Sequence, residues 1–230
     1  MPDRKWRKRL SAFAARRRNE GQEYTAMVRK ADIPRHVIAG ALALAARKRW
    51  KDVSLAEIAG EANVPLSQVY GVFASKTAIL AGFSRQIDGQ VLAALDDEAA
   101  AAPPRERLFD LLMKRFDALN PHKEAVAGIL GDSLSDPLAV LCGLVQLGQS
   151  MAWMLEAAGI NSAGPLGLVR VEGLAAIYLS TLLVWLRDES PDMAKTMAHL
   201  DKRLRQAESC VIAFQWRRRA NETPSAAEAG

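Results

Sequence analysis

Residues 53–80 read VSLAEIAGEANVPLSQVYGVFASKTAIL, and this stretch decides the fold. Ser54 stands where a helix should begin, and Glu57 follows three residues later. S-x-x-E is the spacing of a capping box, in which each side chain bonds the other residue's backbone N–H. Ile58, Ala62, Val64, Val69 and Val72 are the apolar positions. Their spacing fits two short helices crossing steeply around a small core. Ala59 is small enough to lie where the second helix crosses the first. Asn63 falls at the turn, where a left-handed backbone is needed, and asparagine tolerates that conformation best after glycine. The pattern predicts a helix-turn-helix over residues 53–73, its second helix starting near Leu66.

Helical patterns extend in both directions. Upstream, residues 34–48 carry Val37, Ile38, Ala41, Leu42 and Ala45 on one face. Asp32 stands at the cap position and Pro34 suits the first turn. Trp50 follows and is expected to pack beneath that helix. Downstream, residues 75–100 carry Ile79, Leu80, Phe83, Ile87, Val91 and Leu95 on one face. Pro103-Pro104 breaks the chain. A helix over 104–119 follows, and Asn120-Pro121, Asp136-Pro137 and Ser190-Pro191 each read as a cap with proline in the first turn. Gly159 reads as a helix end and Gly164-Pro165 as a start. Alanine, leucine, arginine and glutamate dominate the composition, so the expected class is all-α.

Charge is unevenly placed. Residues 1–30 hold ten Lys/Arg against three Asp/Glu, whereas residues 31–100 and 101–230 each have a net charge of −1. Such a basic arm suits an anionic partner, nucleic acid or membrane surface. Leu10 and Phe13 lie between its basic residues at helical spacing. The arm reads equally as a segment that folds on a partner and as a solvated tail. The domain plan is an arm over 1–30, a helix-turn-helix domain over 31–80, a helical domain over 81–219 and a small, polar tail over 220–230 that is expected to be disordered.

Other classes find little support. Cys142 and Cys210 sit in apolar helical patterns and read as buried small hydrophobes. His36, His122 and His199 are isolated, so no metal site is expected. No nucleophile–base pair or phosphate loop suggests an enzyme, and no cofactor is implied. Residues 173–186 are apolar nearly all round, but fourteen residues are short for a bilayer span and suit a core or interface helix. No secretory signal is legible, so the expected compartment is the cytoplasm.

Residues 33–80 resemble the DNA-binding domain of TetR-type regulators. The resemblance rests on Ile58-Ala59, Asn63-Val64, Val69-Tyr70, Phe73, Ser75-Lys76 and Ile79-Leu80 taken in order. It implies a TetR-like fold, with an N-terminal helix-turn-helix domain and a C-terminal ligand-binding and dimerisation domain. It also implies that Tyr70 and Lys76 bond DNA phosphates, that Ser67 and Gln68 face base edges, and that Ser54 and Leu55 lie near the DNA backbone. Tyr70 packed into the small core and Lys76 as a solvated cap lysine are the competing readings. Pro65 stands where relatives often cap with a hydroxyl. Leu66, Gly71 and Val72 occupy positions that usually offer polar or aromatic contacts, so the face is poor in donors. Phosphate contacts and the arm are therefore expected to supply most of the affinity. Arg47, Lys48, Arg49 and Lys51 form a second basic cluster.

The same resemblance implies that the later helices bind an apolar small-molecule effector and pair a two-fold homodimer through the last two helices, matching a palindromic operator in double-stranded DNA. Phe116, Leu119, Leu147, Met151 and Met154 are the candidate pocket residues. Ile129, Leu134, Leu144 and Trp153 join them on apolar stripes. Gly128, Gly131, Gly143 and Gly148 lie within helices, permitting either tight packing or room for a ligand. Tyr178, Leu182, Trp185, Met193, Met197 and Leu204 are the candidate interface residues. A second resemblance competes. Residues 185–204, WLRDESPDMAKTMAHLDKRL, are similar to the closing segment of a TetR-fold lipid-binding accessory protein of ubiquinone biosynthesis. That protein is not a repressor, and membrane contact belongs to this alternative.

Overall fold

The computed structural model describes residues 30–95 and 102–222, with side chains up to residue 209. The basic arm, except Lys30, and the tail from residue 223 lie outside the described residues. Every regular element among the described residues is helical. The chain divides into two compact units at Gly82/Phe83.

The first unit holds α1 (Ile33–Ala45), α2 (Leu55–Glu61) and α3 (Leu66–Val72). The start of α4 (Lys76–Ala93) also belongs to it. The α1 stripe Val37, Ile38, Ala41, Leu42 and Ala45 is buried as its periodicity predicts, and Trp50 packs inside from a 3-10 turn. Ile58, Ala62, Val64, Val69, Phe73 and Ile79 complete the core, whereas Val72, expected among them, is exposed at the end of α3. Burying each large side chain stabilises the unit by about 1.5–3 kcal/mol. Ser54 and Glu57 form both halves of the capping box. Asn63 has φ +52°, the left-handed turn its chemistry predicts. Gly40 is a further requirement. A Cβ there would lie 3.0 Å from Ala62 N and 3.3 Å from Ile58 O, so a side chain would have to push the end of α2 away by a few tenths of an ångström.

The second unit contains the rest of α4, then α5 (Pro104–Leu119), α6 (Lys123–Ser133), α7 (Pro137–Ala157), α8 (Gly164–Leu186) and α9 (Ala194–Glu222). α8 packs against both α7 and α9, and α5 packs against α7 and α9. Phe116 is fully buried, stacked on Tyr178 at 5.1 Å between ring centroids and tilted against Trp185 at 5.8 Å. Beside it lies a buried polar group. Arg115 pairs with Asp88 and donates to Tyr178 Oη and Ser84 Oγ, both at 3.2 Å, while Ser150 Oγ donates to Asp88.

Asp136 does cap α7, its carboxylate accepting from Leu138 N and Ala139 N. Asn120-Pro121 instead forms a 3-10 turn, and α6 starts at Lys123. Ser190-Pro191 lies in a turn, and α9 starts at Ala194. A local set of hydrogen bonds fills the turn before α9. The buried Asp188 carboxylate accepts from Thr196 N and Thr196 Oγ1, both at 2.8 Å, and from Ser190. Burial works against its charge, yet these bonds hold its carboxyl well below the usual range. α4 ends at Ala93, short of the expected residue 100, and Leu95 is exposed. Cys142 is exposed, and the side chain of Cys210 lies outside the described residues. Leu134, Leu144 and Trp153 also face outward.

The expected interface residues are corrected most sharply. Tyr178, Leu182, Trp185, Met193 and Leu204 are buried within the unit itself, and only Met197 of that set is exposed. α8 instead exposes Leu166, Leu168, Val169 and Leu183. The apolar run at 173–186 belongs to a helix of 23 residues. By length and composition α7 and α8 could each cross a membrane, although roughly a quarter of each apolar window is buried in the protein.

Candidate nucleic-acid interface

The helix-turn-helix presents one face of α3 to solvent. Val69 is buried and sets the rotation of the helix, while Leu66, Ser67, Gln68, Tyr70 and Gly71 are exposed. Tyr70 is 79% exposed, so its ring is not part of the small core. A Cβ at Gly71 would meet nothing within 4 Å. Pro65 occupies the N-cap position and supplies no side-chain bond.

The start of α2 is differently disposed. Ser54 is exposed, but its hydroxyl donates to Glu57 Oε2 at 2.8 Å and accepts from Glu57 N at 3.2 Å. Leu55 is half-buried. Lys48 Nζ lies 2.6 Å from Glu57 Oε1, and Arg47 lies 2.6 Å from Glu61. Arg47 and Lys48 of the second basic cluster therefore form ion pairs with α2. The Lys48 hydrogen bond, followed by the Ser54 bonds, lowers the Glu57 pKa to about 2. The Glu57 contribution is thus complete above its unfolded value near 4.5 and is lost as pH falls through about 2. An NMR titration of the Glu57 carboxyl should give a midpoint near 2, and Lys48→Met should raise it. A midpoint in the ordinary glutamate range in the parent protein would remove the Lys48 contact from the account.

Lys76 has a structural duty that the sequence did not reveal. Its ammonium donates to Trp50 O at 2.7 Å and Val53 O at 2.8 Å, and lies 4.8 Å from the Trp50 ring centroid. It ties the 3-10 turn to the first turn of α4. The signal was present as a lysine shortly after α3, but its acceptors lie more than twenty residues away.

Charge separates the two units. Residues 30–82 carry seven Lys/Arg against four Asp/Glu, net +3, and residues 83–230 carry fifteen against nineteen, net −4. The surface bearing α3 is on the basic unit.

The second unit has a cleft of about 280 Å³ between α4 and α7. It is lined by Arg85, Asp88, Gly89 and Leu92 from α4 and by Gln146, Gln149, Ser150 and Trp153 from α7. None of the five expected pocket residues lines it. Phe116, Leu119, Met151 and Met154 are buried in the core, and Leu147 is partly exposed. Gly131 and Gly143 face open space, while Gly148 comes within ordinary contact of Val171. The spacing Gln146, Gln149, Ser150, Trp153 is that of one helix face and was legible. The α4 wall needed the tertiary structure. No cluster of metal-ligating side chains occurs among the described residues.

Comparison with known proteins places this geometry. A TetR transcriptional regulator from Nitrosomonas europaea superposes with a TM-score of 0.63 at 24% identity, over 76% of this chain and 97% of that one. A TetR regulator from Rhodococcus sp. RHA1 gives 0.58 at 18% identity, over 77% and 97%. A TetR-family regulator from Streptomyces coelicolor gives 0.51 at 17% identity, over 84% and 93%. A family model described as COQ9 matches residues 171–210, which includes the segment 185–204 that carried the second resemblance. No curated protein matches the chain at a significant level. The chain has the fold of the TetR-type transcriptional regulators.

Proposed function

We propose that this protein is a cytoplasmic, DNA-binding transcriptional regulator of the TetR type, acting as a ligand-responsive homodimeric repressor. The observation that carries this reading is the exposed face of α3 on a basic helix-turn-helix unit whose side chains Ile58, Ala59, Ala62, Val64 and Val69 are buried. Tyr70 and Lys76 neutralise or bond phosphates and fix the register, and Ser67 and Gln68 face the base edges. Leu66 and Gly71 complete the recognition face, with Ser54 and Leu55 near the DNA backbone. The dimer face is the exposed flank of α8, Leu166, Val169 and Leu183, together with Met197 of α9. Two-fold symmetry then pairs with a palindromic operator.

The effector occupies the cleft between α4 and α7, packed on Trp153. α4 begins directly after the helix-turn-helix and supplies one cleft wall, so an effector that favours one placement of α4 shifts the population that binds DNA. This replaces the pocket expected at Phe116, Leu119, Leu147, Met151 and Met154, whose buried members form core.

The test is a salt titration of the full chain on the DNA upstream of its own gene. Affinity should fall steeply with salt. Tyr70→Phe should weaken binding about tenfold without changing the preferred sequence, because it removes one charge-assisted bond to a phosphate. Lys76→Ala should reduce the salt slope by about one. The slope is the readout there, since loss of the carbonyl contacts also lowers stability. Absence of sequence-selective binding would sink the reading. The COQ9 match and the exposed apolar residues of α7 and α8 favour one alternative, a lipid-binding accessory protein that contacts membrane. Co-sedimentation with anionic vesicles, lost on deleting residues 1–30, together with no selective DNA binding, would establish that alternative.

A further inference from the structure

The outward face of α3 has a composition that selects among base pairs. With Val69 buried, a helical period places Ser67 and Gly71 farthest from the core. Leu66 and Tyr70 then lie on one flank, and Gln68 and Val72 on the other. Leu66 is 50% exposed and Val72 39% exposed. The middle of the face is therefore small and its flanks are largely apolar. Between Glu61 and Lys76 the sequence contains no charged side chain.

Base edges demand specific chemistry. Guanine is read chiefly by arginine or lysine, and cytosine by a carboxylate. Adenine is read by asparagine or glutamine, and the thymine methyl by apolar side chains. The α3 face lacks the first two groups and holds both of the last two. We propose that α3 reads A·T pairs, the Gln68 amide bonding adenine and the methyl groups of Leu66 and Val72 meeting thymine methyls. Ser67 and Gly71 let the helix seat close to the base edges. This inference rests on the DNA-binding reading above.

The full chain would be used to select duplexes from a random library, and the selected half-sites resynthesised with deoxyuridine in place of thymidine. A·T pairs should be enriched at the α3 positions. Each lost methyl should lower affinity about threefold, as expected for one buried methyl group. That methyl lies in the major groove, so minor-groove contacts do not contribute to the effect. Gln68→Ala, an exposed site whose folding circular dichroism would verify, should cost about tenfold and remove the adenine preference. Gly71→Ala should raise the thermal midpoint, since its Cβ meets nothing, while weakening duplex binding. Selected half-sites rich in G·C, or uracil duplexes bound as well as their parents, would overturn this inference and leave the regulator reading standing. No enrichment of any sequence would overturn both.

Discussion

Arg115→Met is expected to destabilise the second unit by about 3–5 kcal/mol, the cost of leaving one member of a buried ion pair alone. Arg115 is 4% exposed and Asp88 7% exposed. Removing the guanidinium leaves the Asp88 carboxylate with Ser150 as its remaining hydrogen-bond donor, and it deprives Tyr178 and Ser84 of their bonds. Neutralising both partners should recover most of the loss, because the penalty comes from the stranded charge and not from the absence of attraction. The double variant Asp88→Leu/Arg115→Met is the control. Urea unfolding monitored by circular dichroism measures both. A single-variant loss under about 1 kcal/mol would mean that water reaches Asp88 through the cleft it lines and solvates it there.

Ile58→Ala is expected to abolish duplex binding while sparing most of the helix content. Ile58 is fully buried in a unit built from three short helices and the start of a fourth. Truncating a buried isoleucine costs about 2–5 kcal/mol. A core this small rarely supplies more than about 3–5 kcal/mol in all. The variant should therefore lose the first unit and keep the second. Ellipticity would fall only by the share of α1 to α3, and duplex affinity would drop below detection. Unchanged duplex affinity in this variant would show that the recognition face is not held by the helix-turn-helix core.

Much of the first unit was legible because its determinants are local. The Ser54–Glu57 box spans three residues, the turn at Asn63 is a property of one side chain, and the α1 stripe repeats within a single helix. The outward placement of Ser67 and Gln68 follows from the burial of Val69 and the helical period, whereas Tyr70 stayed open between core and surface. Lys76 was different. Its placement shortly after α3 was visible, but its carbonyl partners come from the turn around Trp50.

The second unit was less legible. Periodicity marks which residues are apolar, but it does not assign an apolar side chain to the protein's own core or to a partner. Tyr178, Leu182 and Trp185 were therefore expected at an interface and are core, while Leu134, Leu144 and Trp153 were expected inside and are exposed. Asp88, Arg115 and Ser150 lie on three different helices, so no spacing rule joins them.

By itself the sequence determined the all-helical class, the helix-turn-helix with its cap and turn, and the polar-poor composition of α3. These are properties of neighbouring residues, governed by backbone preference and helical period. Only the tertiary structure decided that Tyr70 stands clear of the core, that Lys76 closes on backbone carbonyls, and that the cleft runs between α4 and α7. Each of those depends on which distant side chains share a volume, and close packing, not local preference, settles that.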